Sequence, residues 1–247
     1  MNRKIVKVCG LKTEDAANTA IESGASLLGT ILVPNRARTV DSETAKRLSK
    51  LCYEKRIKNG SKFAKSEELL KFLKSLDIYG PEWFEEVANH IVENGPYLVG
   101  VFRNQSIEDV KNISQELNID IIQLHGSENV DEYVSELKLP VIPRFVLNKP
   151  GISNALKTHK FLIPLLDSES GGEGKLISWD DATKFGSEMN GRYILAGGLT
   201  PENVASALSV EGCYGVDVSG GVETDGQKDT SKIQQFVQNG CLTNVCT

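Results

Sequence analysis

An α/β fold, a single (β/α)8 barrel of the TIM type with a helical insertion between helix 2 and strand 3, is predicted by three features of the sequence. Apolar, β-branched runs alternate with helical stripes along most of the chain, which is the rhythm of parallel βα units. Eight such strands can be counted. The last two end in glycine pairs, Gly197-Gly198 and Gly220-Gly221, and the loops after strands 7 and 8 are where a barrel holds a phosphate. A chain of 247 residues, 40% hydrophobic, suits one barrel, so residues 1–247 are read as one domain with the insertion at 53–95. Periodicity alone leaves an open doubly wound sheet as the rival. The count of eight and the paired glycines favour closure.

Residues 4–9 alternate as a first strand and stop at Gly10. Thr13 stands as an N-cap, and Ala16, Ala17, Ala20 and Ile21 form a stripe that Gly24 ends. The second strand covers 27–33, closed by Pro34, and Asp41 caps a helix through Leu51. From 53 to 95 the rhythm breaks, with a Lys-rich linker at 55–65 and two amphipathic segments, 67–76 and 81–92. An insertion between a helix and the following strand lies on the barrel face opposite the active site. It is expected to pack against the outer helices, and its removal over 55–93 to leave the catalytic constants nearly unchanged.

The rhythm resumes with strands at 97–102, 120–124, 141–145 and 161–166, followed by helices at 107–117, 129–137, 153–157 and 180–185. Strand 7 ends at Gly197, and Thr200-Pro201 reads as an N-cap with proline at the first helical position. Strand 8 ends at Ser219, the last helix spans 231–238, and Cys241 and Cys246 fall in a tail.

The 28 basic and 33 acidic residues leave a net charge of −5 with no basic block, which argues against nucleic acid or an anionic membrane as partner. Five scattered cysteines without a C-x-x-C and three separated histidines argue against a disulfide framework or a metal cluster. The amino terminus runs directly into a strand, and no apolar run reaches a membrane span. A soluble, cytoplasmic protein of a reducing compartment is expected.

Barrel chemistry sits at the carboxyl ends of the strands. Those ends offer Cys9, Arg36 and Arg38, Arg103, His125, Arg144, Asp167 and the two glycine pairs. Glycines directly after strands expose backbone N–H groups to an anion. The set suits a small-molecule sugar phosphate. On the residues alone, Cys9 also reads as a small buried hydrophobe, Asp167 as a loop cap, His125 as a structural hydrogen bonder and the arginines as surface ion pairs. The stretch Gly171-Gly172-Glu173-Gly174-Lys175 is no P-loop, because Glu169 and Leu176 stand where glycine and a hydroxyl residue are needed. It reads instead as a lid.

Six motifs carry a resemblance. Lys7-Val8-Cys9-Gly10-Leu11, Val33-Pro34-Asn35-Arg36-Ala37-Arg38-Thr39, Gln123-Leu124-His125-Gly126, Leu165-Leu166-Asp167, the run 196–204 and the run 215–223 are together similar to the phosphoribosylanthranilate isomerases, the Amadori-type isomerases of tryptophan biosynthesis. The resemblance covers residue 4 to about 238 outside the 53–95 segment. It implies Cys9 as general base, Asp167 as general acid and Arg38 as the binder of the anthranilate end. Arg36 is left out, since the second arginine lines up with the family's functional one. His125, Gly197, Gly198, Ser219, Gly220 and Gly221 complete the implied substrate site.

The implied reaction opens a ribofuranosylamine to a Schiff base, removes the sugar C2 proton and tautomerises the enolamine to a ketone. One acid and one base suffice, without metal or redox cofactor. An ordinary cysteine is only about 3% thiolate at pH 7 and an ordinary aspartic acid roughly 0.1% protonated. Cys9 is therefore expected to be lowered, by Arg38 or backbone dipoles, and Asp167 raised by the substrate's anionic groups. Lys7 is not expected to help. The rivals are a barrel isomerase or epimerase acting on another sugar phosphate, and a non-catalytic phosphate-binding scaffold.

Overall fold

The computed structural model describes residues 4–168 and 177–242. The expected lid at 171–175 and Cys246 lie outside the described residues. Eight parallel strands close into a barrel: β1 (Ile5–Val8), β2 (Leu27–Ile31), β3 (Tyr97–Phe102), β4 (Ile121–Leu124), β5 (Val141–Phe145), β6 (Leu165–Leu166), β7 (Tyr193–Ala196) and β8 (Cys213–Val218). Closure pairs β1 with β8, Ile5 opposite Gly215 and Lys7 opposite Asp217, which rules out the open sheet. β6 is shorter than the expected 161–166. Pro164 has no N–H to give a ladder and interrupts the run just before Leu165.

The helices follow their caps and buried stripes. α1 (Glu14–Ser23) is capped by Thr13 and ended by Gly24 at φ 105°. α2 (Ser42–Lys58) is capped by Asp41, whose Oδ1 accepts from Thr44 N at 2.8 Å. It continues past Leu51 because Leu48, Cys52 and Arg56 extend one buried face at four-residue spacing. Arg56, placed in the predicted linker, forks onto Asp120 at 2.7 and 2.8 Å and stacks on Tyr97.

Between α2 and β3 stand α3 (Ser66–Lys74) and α4 (Pro81–Asn94). α4 does more than lean on outer helices. It buries Trp83, Phe84, Val87, Ala88 and Ile91 and packs against β1 and β8. Its Phe84 stacks near Phe161 ahead of β6, and Glu85 bonds Arg192 just before β7 at 3.0 Å. These contacts lay α4 across the amino-terminal end of the barrel, the end away from the strand tips. Its side chains belong to the same apolar cluster as the strands.

The remaining helices are α5 (Ile107–Leu117), α6 (Val130–Glu136), α7 (Trp179–Glu188), α8 (Val204–Leu208) and α9 (Thr230–Leu242), with a 3-10 turn at Ile152–Leu156 where a weak helix was expected. α9 includes Cys241, which was expected in a tail. Thr200 is not an N-cap. Asn203 shapes that turn instead, its Oδ1 accepting from Thr200 N at 2.8 Å and its Nδ2 donating to Gly198 O at 3.0 Å. A hairpin, β9 (Glu223–Thr224) and β10 (Gln227–Lys228), follows β8. Its turn, Asp225-Gly226, has both φ values positive, the geometry that favours this dipeptide in two-residue hairpins.

Candidate active site

A cavity of about 730 Å³ opens at the carboxyl ends of the strands, and Cys9, Arg38, His125, Asp167, Gly197, Gly198, Ser219, Gly220 and Gly221 all line it. Every residue of the site implied by the resemblance thus reaches one space, whereas Arg144, also singled out at a strand end, is not among the lining residues. Arg36 and Arg103 line it too, as do Gln123, Thr200 and Asp217.

The glycine turns make one wall. Gly197 and Gly198 have φ values of 92° and 65°, a region only glycine enters cheaply. A Cβ on Gly221 would fall 1.8 Å from Leu199 O, so the two turns are pressed together as no other residue would allow. Ser219 Oγ is buried and bonds nothing among the described residues. That wall presents a hydroxyl and turn backbone to the cavity, the chemistry of an anion seat.

Arg38 reaches in from the loop after β2. It donates to both carboxylate oxygens of Glu223, Nε to Oε1 at 2.7 Å and Nη2 to Oε2 at 2.9 Å. Lys228 donates to the same Oε1 and to Ser219 O, each at 2.8 Å. The hairpin therefore ties the guanidinium to the glycine wall. The Arg38 fork, with Lys228 beside it, holds Glu223 down at about 2.

Asp167 follows β6. Its Oδ1 accepts from Ser168 N at 2.7 Å, and its Oδ2 lies 3.5 Å from His125 Nε2 and 3.7 Å from Arg144 Nε. Burial, with the charges of Arg144, Lys7 and Arg103, brings His125 down to about 3. The imidazole is neutral at working pH. Gln123 Nε2 lies 3.2 Å from His125 Nδ1, so with the amide donating, the ring proton sits on Nε2 and faces the carboxylate.

Cys9 is buried at the end of β1, and a Cβ on Gly29 would come within 2.6 Å of its sulfur. Contrary to expectation, its thiol is pushed up rather than down: burial outweighs the opposing charge of Lys7. Lys7 itself corrects a second expectation. Two residues before Cys9 on the same strand face, it is wholly buried, and Nζ bonds Asp217 Oδ1 at 2.9 Å. Its positive charge acts on the Cys9 thiol against the effect of burial. Lys7 was weighed in the sequence and set aside, and Gln123, Asp217, Glu223 and Lys228 were given no role there. The signal for Lys7 and Asp217 was a charge of each sign inside apolar alternation on the two strands that closure joins.

With this geometry in view, the comparisons are specific. The family model described as N-(5'phosphoribosyl)anthranilate (PRA) isomerase matches residues 49–239. The N-(5'-phosphoribosyl)anthranilate isomerase of Wickerhamomyces anomalus is 49% identical over 95% of this chain and 98% of its own. The phosphoribosyl anthranilate isomerase structure from Thermus thermophilus superposes with a TM-score of 0.70 at 26% identity, covering 98% and 100% of the two chains. Another isomerase structure, solved in complex with reduced 1-(o-carboxyphenylamino)-1-deoxyribulose 5-phosphate, gives 0.66 at 27% identity over 97% and 98%. The chain belongs to the N-(5'-phosphoribosyl)anthranilate isomerase family, and its activity is the isomerisation of phosphoribosylanthranilate in tryptophan biosynthesis.

Proposed function

We propose that Cys9 and Asp167 perform this isomerisation as base and acid on a sugar phosphate held between the glycine wall and Arg38. The observation that carries the reading is that a thiol and a carboxyl share one cavity with a seat for each anionic end of the substrate. The phosphate is received by the backbone of Gly197, Gly198, Gly220 and Gly221 and by the Ser219 hydroxyl. The anthranilate carboxylate meets the guanidinium edge of Arg38 that Glu223 does not occupy.

Asp167 protonates the ring oxygen as the C1–O bond breaks and the nitrogen lone pair forms the Schiff base. The Cys9 thiolate takes the C2 proton, and the C–H electron pair becomes the C1–C2 double bond of the enolamine, which tautomerises to the ketone. His125 orients the Asp167 carboxyl and the sugar oxygens through its Nε2 proton. The molecule works in a reducing, cytoplasmic compartment, where Cys9 stays a thiol. Free thiols at Cys9, Cys52, Cys213 and Cys241 are consistent with that, and no described helix is long and apolar enough to cross a membrane.

The test is turnover of Cys9→Ser and Asp167→Asn, followed by loss of the anthranilate fluorophore's substrate signal. Each is expected to fall by roughly 10²–10⁴ with the fold intact, the size of an acid–base contribution. Near wild-type rates in both variants overturn the assignment of roles.

A further inference from the structure

We propose that Lys7 is a positioning residue for proton removal: held by Asp217 inside the barrel, its ammonium is the counter-charge on which the Cys9 thiolate forms. The inference rests on the reading of Cys9 as base, and it adds a second group to that base.

Three observations carry it. Lys7 has 0% exposure, and its ammonium lies in the barrel interior bonded to one oxygen of Asp217 at 2.9 Å. The bond is fixed by closure, because Lys7 and Asp217 are register partners across the β1–β8 seam. Lys7 and Cys9 stand two residues apart on one strand face at the end of β1, and the Lys7 charge favours the thiolate against burial. Buried ion pairs are poor stabilisers, and apolar residues of like volume commonly replace them without loss. A buried charged pair whose carboxylate lines the cavity together with Cys9 has an electrostatic use.

The charges facing Cys9 are those of Lys7 and Asp217 from the barrel interior, Lys228 from the hairpin and Arg38 from the loop after β2. Lys228 is committed to Glu223 and Ser219 O, and Arg38 to Glu223. At rest the Lys7 ammonium is paired with Asp217, whose carboxyl burial pushes up while Lys7 holds it down, and burial keeps the thiol protonated. When the thiol loses its proton to solvent in the mouth, the ammonium is shared between two anions. The sulfur then accepts the substrate's C2 proton and returns to the thiol.

Lys7→Met alone would leave Asp217 buried and unpaired, so the deciding variant is Lys7→Met/Asp217→Asn, which removes both charges and keeps the volume. Iodoacetamide alkylation of the Cys9 peptide, followed by mass spectrometry across pH, reports the thiolate directly. The expected result is a folded variant whose alkylation midpoint moves up by about 1–2 pH units, a ~10- to 100-fold loss of thiolate at neutral pH. The basic shift should appear in its kcat/KM profile, while KM changes little, and Lys7→Arg with Asp217 intact should restore part of the rate. An unmoved alkylation midpoint overturns the role of Lys7. A moved midpoint with unchanged turnover overturns instead the reading of Cys9 as base, and the catalytic meaning of Lys7 with it.

Discussion

On the proposed reading Arg38 serves only if its fork stays aimed, and its two bonds to Glu223 hold it in place. A glutamine at 223 keeps the size but loses the charge and one acceptor, so the two short bonds to Nε and Nη2 reduce to a single neutral one. Glu223→Gln is expected to raise KM roughly tenfold with kcat within about twofold, the pattern of lost uniform binding; steady-state kinetics checks the split. Another residue-scale prediction concerns acid stability. The unfolded chain protonates its imidazoles near the ordinary 6.5, whereas folded His125 does so only near 3. Between those values the unfolded state binds the extra proton, so stability falls as the pH drops. His125→Gln should flatten the pH dependence of Tm between about pH 7 and 5, and an unchanged slope contradicts a buried neutral imidazole. At this scale Cys9, Arg38, His125, Asp167 and the glycine pairs were legible because they stand at strand ends in motifs, whereas Gln123 and Asp217 lie within strands. The role of Lys7 was not legible, because a lysine on the Cys9 face falls among the apolar layers of the barrel until its partner on the closing strand, Asp217, is known.

The elements read most clearly where a cap and a stripe agree, as in α1, where Thr13, four buried alanine and isoleucine positions and Gly24 delimit one helix. They read poorly where a single residue changes the ladder. Pro164 shortened β6, and Asn203 turned an apparent Thr-Pro helix start into a tight turn. The 53–95 segment was legible as two helices but not as a floor. With Trp83, Phe84, Val87, Ala88 and Ile91 in the core, removing residues 55–93 would open the barrel's amino-terminal end and also delete Arg56. That excision is expected to unfold the protein rather than leave it active. The sharper form of the prediction is Trp83→Ala, expected to lower stability by about 3–5 kcal/mol with kcat and KM unchanged well below the unfolding transition. Thermal unfolding and kinetics on one preparation check both halves.

Barrel closure explains what no local pattern could. It sets residue 7 beside residue 217 and residue 38 beside residue 223, and so builds the mouth from pairs that are neighbours only in space. The closed molecule also separates its charge: the chain is −5 overall, yet Arg36, Arg38 and Arg103 line the cavity, with Arg144 beside Asp167. A basic mouth on an acidic body draws in a doubly anionic substrate. Raising salt from about 10 to about 150 mM shortens the screening length from ~30 to ~8 Å, and kcat/KM is expected to fall through KM. A salt-independent KM would show that the field of the mouth plays no part in capture.

The most direct test of the proposed thiol–carboxyl pair is a paired measurement on Cys9→Ala, in which the proposed base is deleted and both proposed anion seats are left whole. Affinity for the reduced product analogue should stay within a few-fold of wild type while single-turnover conversion of phosphoribosylanthranilate falls by roughly 10²–10⁴. A folded Cys9→Ala protein that binds the analogue and still converts substrate at the wild-type rate would contradict the account.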